Sequence, residues 1–192
     1  MYLPKPLALL VLTLAAISLL LLFTAQAKPQ SVPISSAASF IDYSGFQRLS
    51  QEVWGHRASN MVDLETFIKM AEDPNTIILD TRSKEAFDAV HWKGAVHLNF
   101  SDFTEEKLEK VIPSKETRIL IYCNNNIDSP LEALADKSLP LALNIPTYIN
   151  LFGYGYQNVY ELATRVADAR LAEQLEGEAF DPAAYPPFDD PE

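Results

Sequence analysis

Two uninterrupted apolar runs constrain this chain more than any other feature. One is Ile77, Ile78 and Leu79 behind Thr76; the other is Ile119, Leu120, Ile121 and Tyr122 behind Arg118. A strand with one wet face alternates apolar and polar residues, whereas a strand covered on both faces does not. Parallel sheets bury their strands in this way, and they need a crossover helix between successive strands. The sequence supplies the helices. Phe46, Leu49 and Val53 recur at helical spacing over residues 44–56, with Ser44 placed to cap. Asp63 can cap a helix whose apolar face is Leu64, Phe67 and Ile68, and Ser83 one that carries Phe87. Asp102 with Glu105 forms a capping box for a helix through Val111. Residues 94–98 and 158–162 read as further strands. The expected fold class is α/β, a central, mainly parallel sheet flanked by helices.

The chain ends read differently. Residues 1–27 carry one charged side chain, Lys5, then an apolar run over 7–23 and Ala25-Gln26-Ala27. This is the pattern of a secretory signal peptide cut after Ala27, which implies export to a periplasm or secretion. The alternative is an uncleaved N-terminal anchor, and membrane association is expected only in that case. Residues 28–39 read as a linker, 40–61 as an N-terminal helical extension and 62–170 as the main domain. Residues 171–192 form an acidic, proline-containing tail, expected to be extended or disordered from about Gly177. The formal net charge is −11, and no basic block interrupts it. Nucleic-acid binding is therefore excluded as an expectation.

The chain holds one cysteine, Cys123. No intramolecular disulfide can form, and in an oxidising compartment a lone thiol is unusual unless buried or used. Cys123 stands at the carboxyl end of the strand over 118–122, where open α/β sheets carry their functional loops. Asn124, Asn125, Asn126, Ile127 and Asp128 follow, and Ser129-Pro130-Leu131-Glu132 has the residue order of a helix start. Backbone N–H groups in such a loop, with a helix dipole behind them, favour an anionic sulfur and predict a lowered thiol pKa. The alternative is a small buried hydrophobe that closes a strand. His91 and His97 lie on different elements with no carboxylate or thiol at ligand spacing, so no metal is expected.

Several segments occur in a recognisable order. Leu79-Asp80-Thr81-Arg82, Glu85-Ala86-Phe87 and His91-Trp92-Lys93-Gly94-Ala95-Val96 come first. Ile119-Leu120-Ile121-Tyr122-Cys123 and Gly155-Tyr156-Gln157-Asn158-Val159-Tyr160-Glu161-Leu162 follow. Together they resemble the rhodanese-like domain family. The resemblance implies a sulfurtransferase: Cys123 accepts a sulfane sulfur as a persulfide and passes it to a thiol or cyanide-like acceptor. It needs no cofactor. The backbone of Asn124, Asn125, Asn126, Ile127 and Asp128 would cradle the anion, and Asp80 and Arg82 would support the site, with Arg82 as orienting cation.

The chain also departs from the family pattern. The 124–128 loop has no basic residue and carries Asp128, which predicts that dianionic thiosulfate is a poor donor. Serine at 129 replaces the arginine that phosphatase chemistry in a related loop requires. The interval from Cys123 to Gly155 is long for the family, so it contains an insertion. Either the helix begins at Ser129 and the insertion follows it, or the insertion occupies 126–143 and the helix begins at Asn144-Ile145-Pro146, with loss of the short cradle. Two functions stay open: sulfur transfer, and a rhodanese-like module of weak or no activity that binds a sulfur species or an unidentified protein partner. A redox role is disfavoured because no second cysteine can resolve a mixed disulfide.

Overall fold

The computed structural model describes residues 40–185. The expected leader (1–27), the linker (28–39) and the last seven residues of the expected tail lie outside them. Five strands form one sheet: β1 (Met61–Val62), β2 (Thr76–Asp80), β4 (Val96–His97), β5 (Arg118–Ile121) and β7 (Val159–Leu162), in the order β1-β7-β5-β2-β4. All four pairings are parallel, with Leu79 opposite Ile121 and Ile121 opposite Glu161. The two apolar runs thus become the central strands β2 and β5, and their side chains divide between the faces with period two. Ile78, Leu120 and Tyr122 pack with Phe67 and Trp92 on one face. Leu79, Ile119 and Ile121 pack with Val53, Leu108, Tyr148 and Leu151 on the other.

The helices are α1 (Tyr43–Ser59), α2 (Leu64–Ala71), α3 (Lys84–Ala89), α4 (Glu105–Val111) and α5 (Asn144–Gly153). Among the described residues none is long and apolar enough to cross a membrane. Asp63 caps α2 by accepting from Thr66 N at 2.8 Å, and Ser83 caps α3 by accepting from Ala86 N at 3.2 Å. Helix α4 is capped by Thr104, which accepts from Lys107 N, not by Asp102. Asn99 caps a 3₁₀ turn over Phe100–Asp102, which places Asp102 one turn too early, and its carboxylate pairs with Lys107 instead.

Three boundaries differ from the sequence reading. The 40–61 segment, read as an N-terminal helical extension, is helical over Tyr43–Ser59 and belongs to the compact unit that begins at Tyr43. Val53 of α1 is 2% exposed in the core, and Arg57 and Asn60 reach β7. The predicted helix at Ser129 does not form; only a 3₁₀ turn, Glu132–Leu134, does. Two physical reasons are visible. Asn124 and Asn125 donate to the carbonyls of Ala135 and Lys137, which a helix would need for its own ladder, and Pro140 has no N–H to return to Asp136.

The 171–192 tail is docked as far as it is described. Leu171 and Leu175 are fully buried, and β9 (Leu175–Glu176) pairs antiparallel with β3 (His91–Trp92). Glu178 N and Ala179 N donate to the Asp88 and Ala89 carbonyls, and Phe180 enters the core. Gly177 permits the turn, since its φ of 145° is open to glycine and a Cβ there would collide with the Ala89 carbonyl.

Candidate active site around Cys123

Cys123 follows β5 in the middle of the sheet, in extended backbone (φ −145°, ψ −179°), and opens a 3₁₀ turn over Asn124–Asn126. That turn explains which loop groups can face the sulfur. The backbone N–H groups of Asn144, Asn125 and Leu143 each act on the thiol so as to lower its pKa. Leu143 is the N-cap residue of α5 and Asn144 its first residue, and this N-terminus has no side-chain cap. Unpaired N–H groups at a helix start favour a nearby anion. The cradle is therefore closed by the end of the insertion, and the helix begins at Asn144, the second of the two placements left open by the sequence. A short cradle formed by residues 124–128 alone is not found.

The other expected cradle residues have different partners. Asn126 is buried and structural: its Oδ1 accepts from Cys123 N at 2.9 Å and from Asn144 Nδ2 at 3.0 Å, while its Nδ2 donates to Leu162 O and Thr164 O. Ile127 is 1% exposed in the core. Ile127 and Asp128 form β6, paired in parallel with β8 (Val166–Ala167). The Asp128 carboxylate is exposed and accepts from Arg165 at 2.8 Å, and Arg165 also donates to Asp136 at 2.7 Å. Asn124 and Asn125 spend their amides on Ala135 and Lys137, which clamps the inserted segment onto the cysteine loop.

Arg82 does not serve as an orienting cation. It is 4% exposed and binds Asp80 through Nε (3.0 Å) and Nη2 (2.6 Å), with Nη2 also donating to Val90 O and Nη1 to Ala133 O. Tyr122 Oη donates to the same Asp80 carboxylate at 2.5 Å and accepts from Trp92 N. Asp80 and Arg82 are a buried pair that fixes the turn after β2 to α3 and the insertion. The histidines are likewise engaged: His91 Nδ1 meets Phe87 O, and His97 Nε2 meets Arg82 O.

Beneath the loop lies a network that sequence reasoning missed. Glu161, 4% exposed on β7, is held bidentately by Arg57 of α1 at 2.5 and 2.6 Å, and it accepts from Asn144 Nδ2 at 3.3 Å. Asn144 in turn binds Asn126, which binds the Cys123 backbone. The signal was present as a lone carboxylate in an otherwise apolar closing strand, since a buried charge calls for a partner. Tyr148 Oη donates to Val159 O and meets His56 Nδ1, which gives α1 a second hold on the same layer.

The electrostatics of the thiol run against the expected lowering. Cys123 is 2% exposed, and burial pushes its pKa up. The N–H groups of Asn144, Asn125 and Leu143 pull it down, and the Glu161 charge pushes it up again. The net displacement is upward, so at neutral pH the resting site holds a covered, protonated thiol inside a receptor shaped for an anion.

A family model described as "Rhodanese-like domain" matches residues 63–164. The tRNA uridine(34) hydroxylase of Acholeplasma laidlawii is 33% identical over 64 residues, 32% of this chain and 20% of that protein. The chain thus spans about a fifth of the length of the curated relative it matches. Among solved structures, the rhodanese-like domain of an Anabaena protein is 17% identical, with 69% of this chain and 88% of that one covered and a TM-score of 0.46. The thiosulfate sulfurtransferase of Pseudomonas aeruginosa is also 17% identical, with 69% and 23% covered and a TM-score of 0.45.

Proposed function

The chain belongs to the rhodanese-like domain family, and from that premise we propose that it is a sulfurtransferase that works through Cys123. One observation carries the reading: the single cysteine directly follows the central strand β5 at its carboxyl end, where the backbone N–H groups of Asn125, Leu143 and Asn144 favour its anion. Backbone donors fixed in this way stabilise an anion without needing a cation. The thiol gives its proton to solvent, and the thiolate attacks the outer sulfur of a sulfane donor. An S–S bond to Cys123 forms, the donor's bond to that sulfur breaks, and its electron pair leaves with the donor remnant. The N–H groups then hold the anionic persulfide. An acceptor thiol or cyanide attacks the outer sulfur, and Cys123 departs as thiolate.

The burial of the thiol favours a second reading, a rhodanese-like module that binds a partner or a sulfur species without turnover. Sulfur loading decides between them. Incubation with several sulfane donors and intact-mass measurement should show one added sulfur on the native chain, removed by cyanide and absent in Cys123→Ser. A native chain that loads from no donor assigns the protein to the binding reading. The leader belongs to the same proposal, in which an exported protein begins at Lys28 after cleavage. Retention of full-length chain in the membrane fraction of a Gram-negative host would instead make it an anchor.

A further inference from the structure

Glu161 is a costly residue for its position. It stands on β7 opposite Ile121, the last residue of β5, between buried Val159 and Leu162, and it is 4% exposed. For stability, a buried ion pair is often matched or bettered by apolar residues of similar volume. The pair with Arg57 therefore gives no sufficient reason for a carboxylate here. What an apolar residue could not supply is an acceptor oxygen. Glu161 Oε1 accepts from Asn144 Nδ2 at 3.3 Å while Arg57 holds both carboxylate oxygens.

Asn144 Nδ2 carries two hydrogens and has an acceptor for each. The second is Asn126 Oδ1 at 3.0 Å, and that oxygen also accepts from Cys123 N at 2.9 Å. The contacts thus run from α1 to the Cys123 main chain through one carboxamide. With oxygen acceptors on both sides, only one orientation of that amide is satisfied; the flipped one would set its oxygen against both. Asn144 is 3% and Asn126 8% exposed, so water has little room to replace either partner. Asn144 acts on Cys123 twice, since its backbone N–H also favours the cysteine anion. Its side chain sets the main chain from which the thiol projects, and its main chain favours charge on that thiol.

We infer that Asn144 is a positioning residue for Cys123 and that the Arg57–Glu161 pair holds it in place, so that α1 contributes to the reactive centre. Arg57 precedes residues 63–164, the span matched by the rhodanese-like family model, so this support comes from outside the family's domain. The inference rests on the sulfurtransferase reading for the use of the thiol, whereas the hold on the thiol does not depend on turnover. Misplacement of a reacting group by about 1 Å can cost about a hundredfold in rate. Loss of one of the two acceptors that fix Asn144 is a smaller disturbance, expected to cost about threefold to tenfold.

Two full-length double variants separate positioning from stability. Arg57→Met with Glu161→Gln keeps an acceptor oxygen for Asn144, and Arg57→Met with Glu161→Leu removes it; neither leaves half of the ion pair behind. Alkylation of native Cys123 by iodoacetamide at one pH, with no sulfur donor, should be about threefold to tenfold slower in the Leu variant than in the Gln variant. A thiol out of register with its N–H groups ionises less readily. Sulfur loading, read by intact mass, should fall by the same factor. A merely structural role has the opposite sign, because loosening uncovers a thiol that is 2% exposed and speeds its alkylation as Tm falls. Asn144→Ala should slow alkylation at least as much, and Gly177→Ala, destabilised elsewhere, should not slow it. Equal rates in the two double variants, rates that rise as Tm falls, or an unchanged rate in Asn144→Ala would overturn the inference. If Cys123 loads from no donor but alkylation still separates the variants, the sulfurtransferase reading falls and the positioning stands. If loading proceeds equally in both, the positioning falls and the sulfurtransferase reading stands.

Discussion

Replacement of Arg57 by Met isolates the contribution of α1 to the layer under the cysteine. The substitution keeps much of the apolar stem and removes both hydrogen bonds to Glu161, at 2.5 and 2.6 Å. Removal of one member of a buried ion pair costs about 3–5 kcal/mol, because the other charge is left desolvated. Here the Glu161 side chain is 6% exposed but that of Arg57 is 24% exposed, so water can partly replace the guanidinium. A loss of about 2–4 kcal/mol is expected. At roughly 2–4 °C per kcal/mol for a chain of this size, Tm should fall by about 5–15 °C. Glu161→Gln alone should cost less, about 1–2 kcal/mol, since Arg57 can turn toward solvent. The double variant Arg57→Met with Glu161→Gln should recover much of the loss, with a coupling energy of at least about 1.5 kcal/mol in urea titrations. A loss under about 0.5 kcal/mol for Arg57→Met, or strictly additive effects, would refute the claim that this pair anchors α1 to β7.

Three further outcomes follow from the geometry. Gly177→Ala forces a Cβ into the Ala89 carbonyl at a φ of 145°, and should cost about 2 kcal/mol or more by denaturant unfolding; a neutral effect would mean that the C-terminal segment is not docked through β9. Because Asp128 is paired with Arg165 and away from the thiol, Asp128→Arg should change kcat/KM for thiosulfate by less than about twofold; a large gain would return that carboxylate to the site. Burial holds the Cys123 pKa above its ordinary value, so alkylation of the native protein should titrate with a midpoint above the ~8.5 of a free thiol. The sign for stability agrees: the neutral thiol's contribution is full below that value and is lost as pH rises toward the folded one, a loss that Cys123→Ala should abolish.

The sheet was legible because its evidence is local. Continuous apolar runs over 77–79 and 119–122 can be little else than covered strands, and Asp63 and Ser83 cap the helices that their positions suggest. Cys123 at a strand end was legible for the same reason. The surroundings of the thiol were not, because they are assembled across long sequence separations. Asn126 meets Asn144, Asn144 meets Glu161, and Glu161 meets Arg57, contacts that no local spacing encodes. The helix start at Ser129 has good local chemistry but loses to tertiary competition, since side chains from the cysteine loop capture the carbonyls it would need. The acidic composition of the C-terminal segment concealed its anchors, Leu171, Leu175 and Phe180, which are few but deeply placed. Charge was misleading at Arg82, which looked available and is spent on Asp80.

The central claim is that Cys123 carries sulfur, and native intact-mass spectrometry of the full-length protein after incubation with sulfane donors tests it most directly. The expected result is a gain of a single sulfur atom, localised to Cys123 by peptide mapping, faster at alkaline pH, discharged by cyanide and absent in Cys123→Ser. A native chain that stays unmodified with every donor, and whose cysteine reacts with alkylating agents only after denaturation, would contradict it.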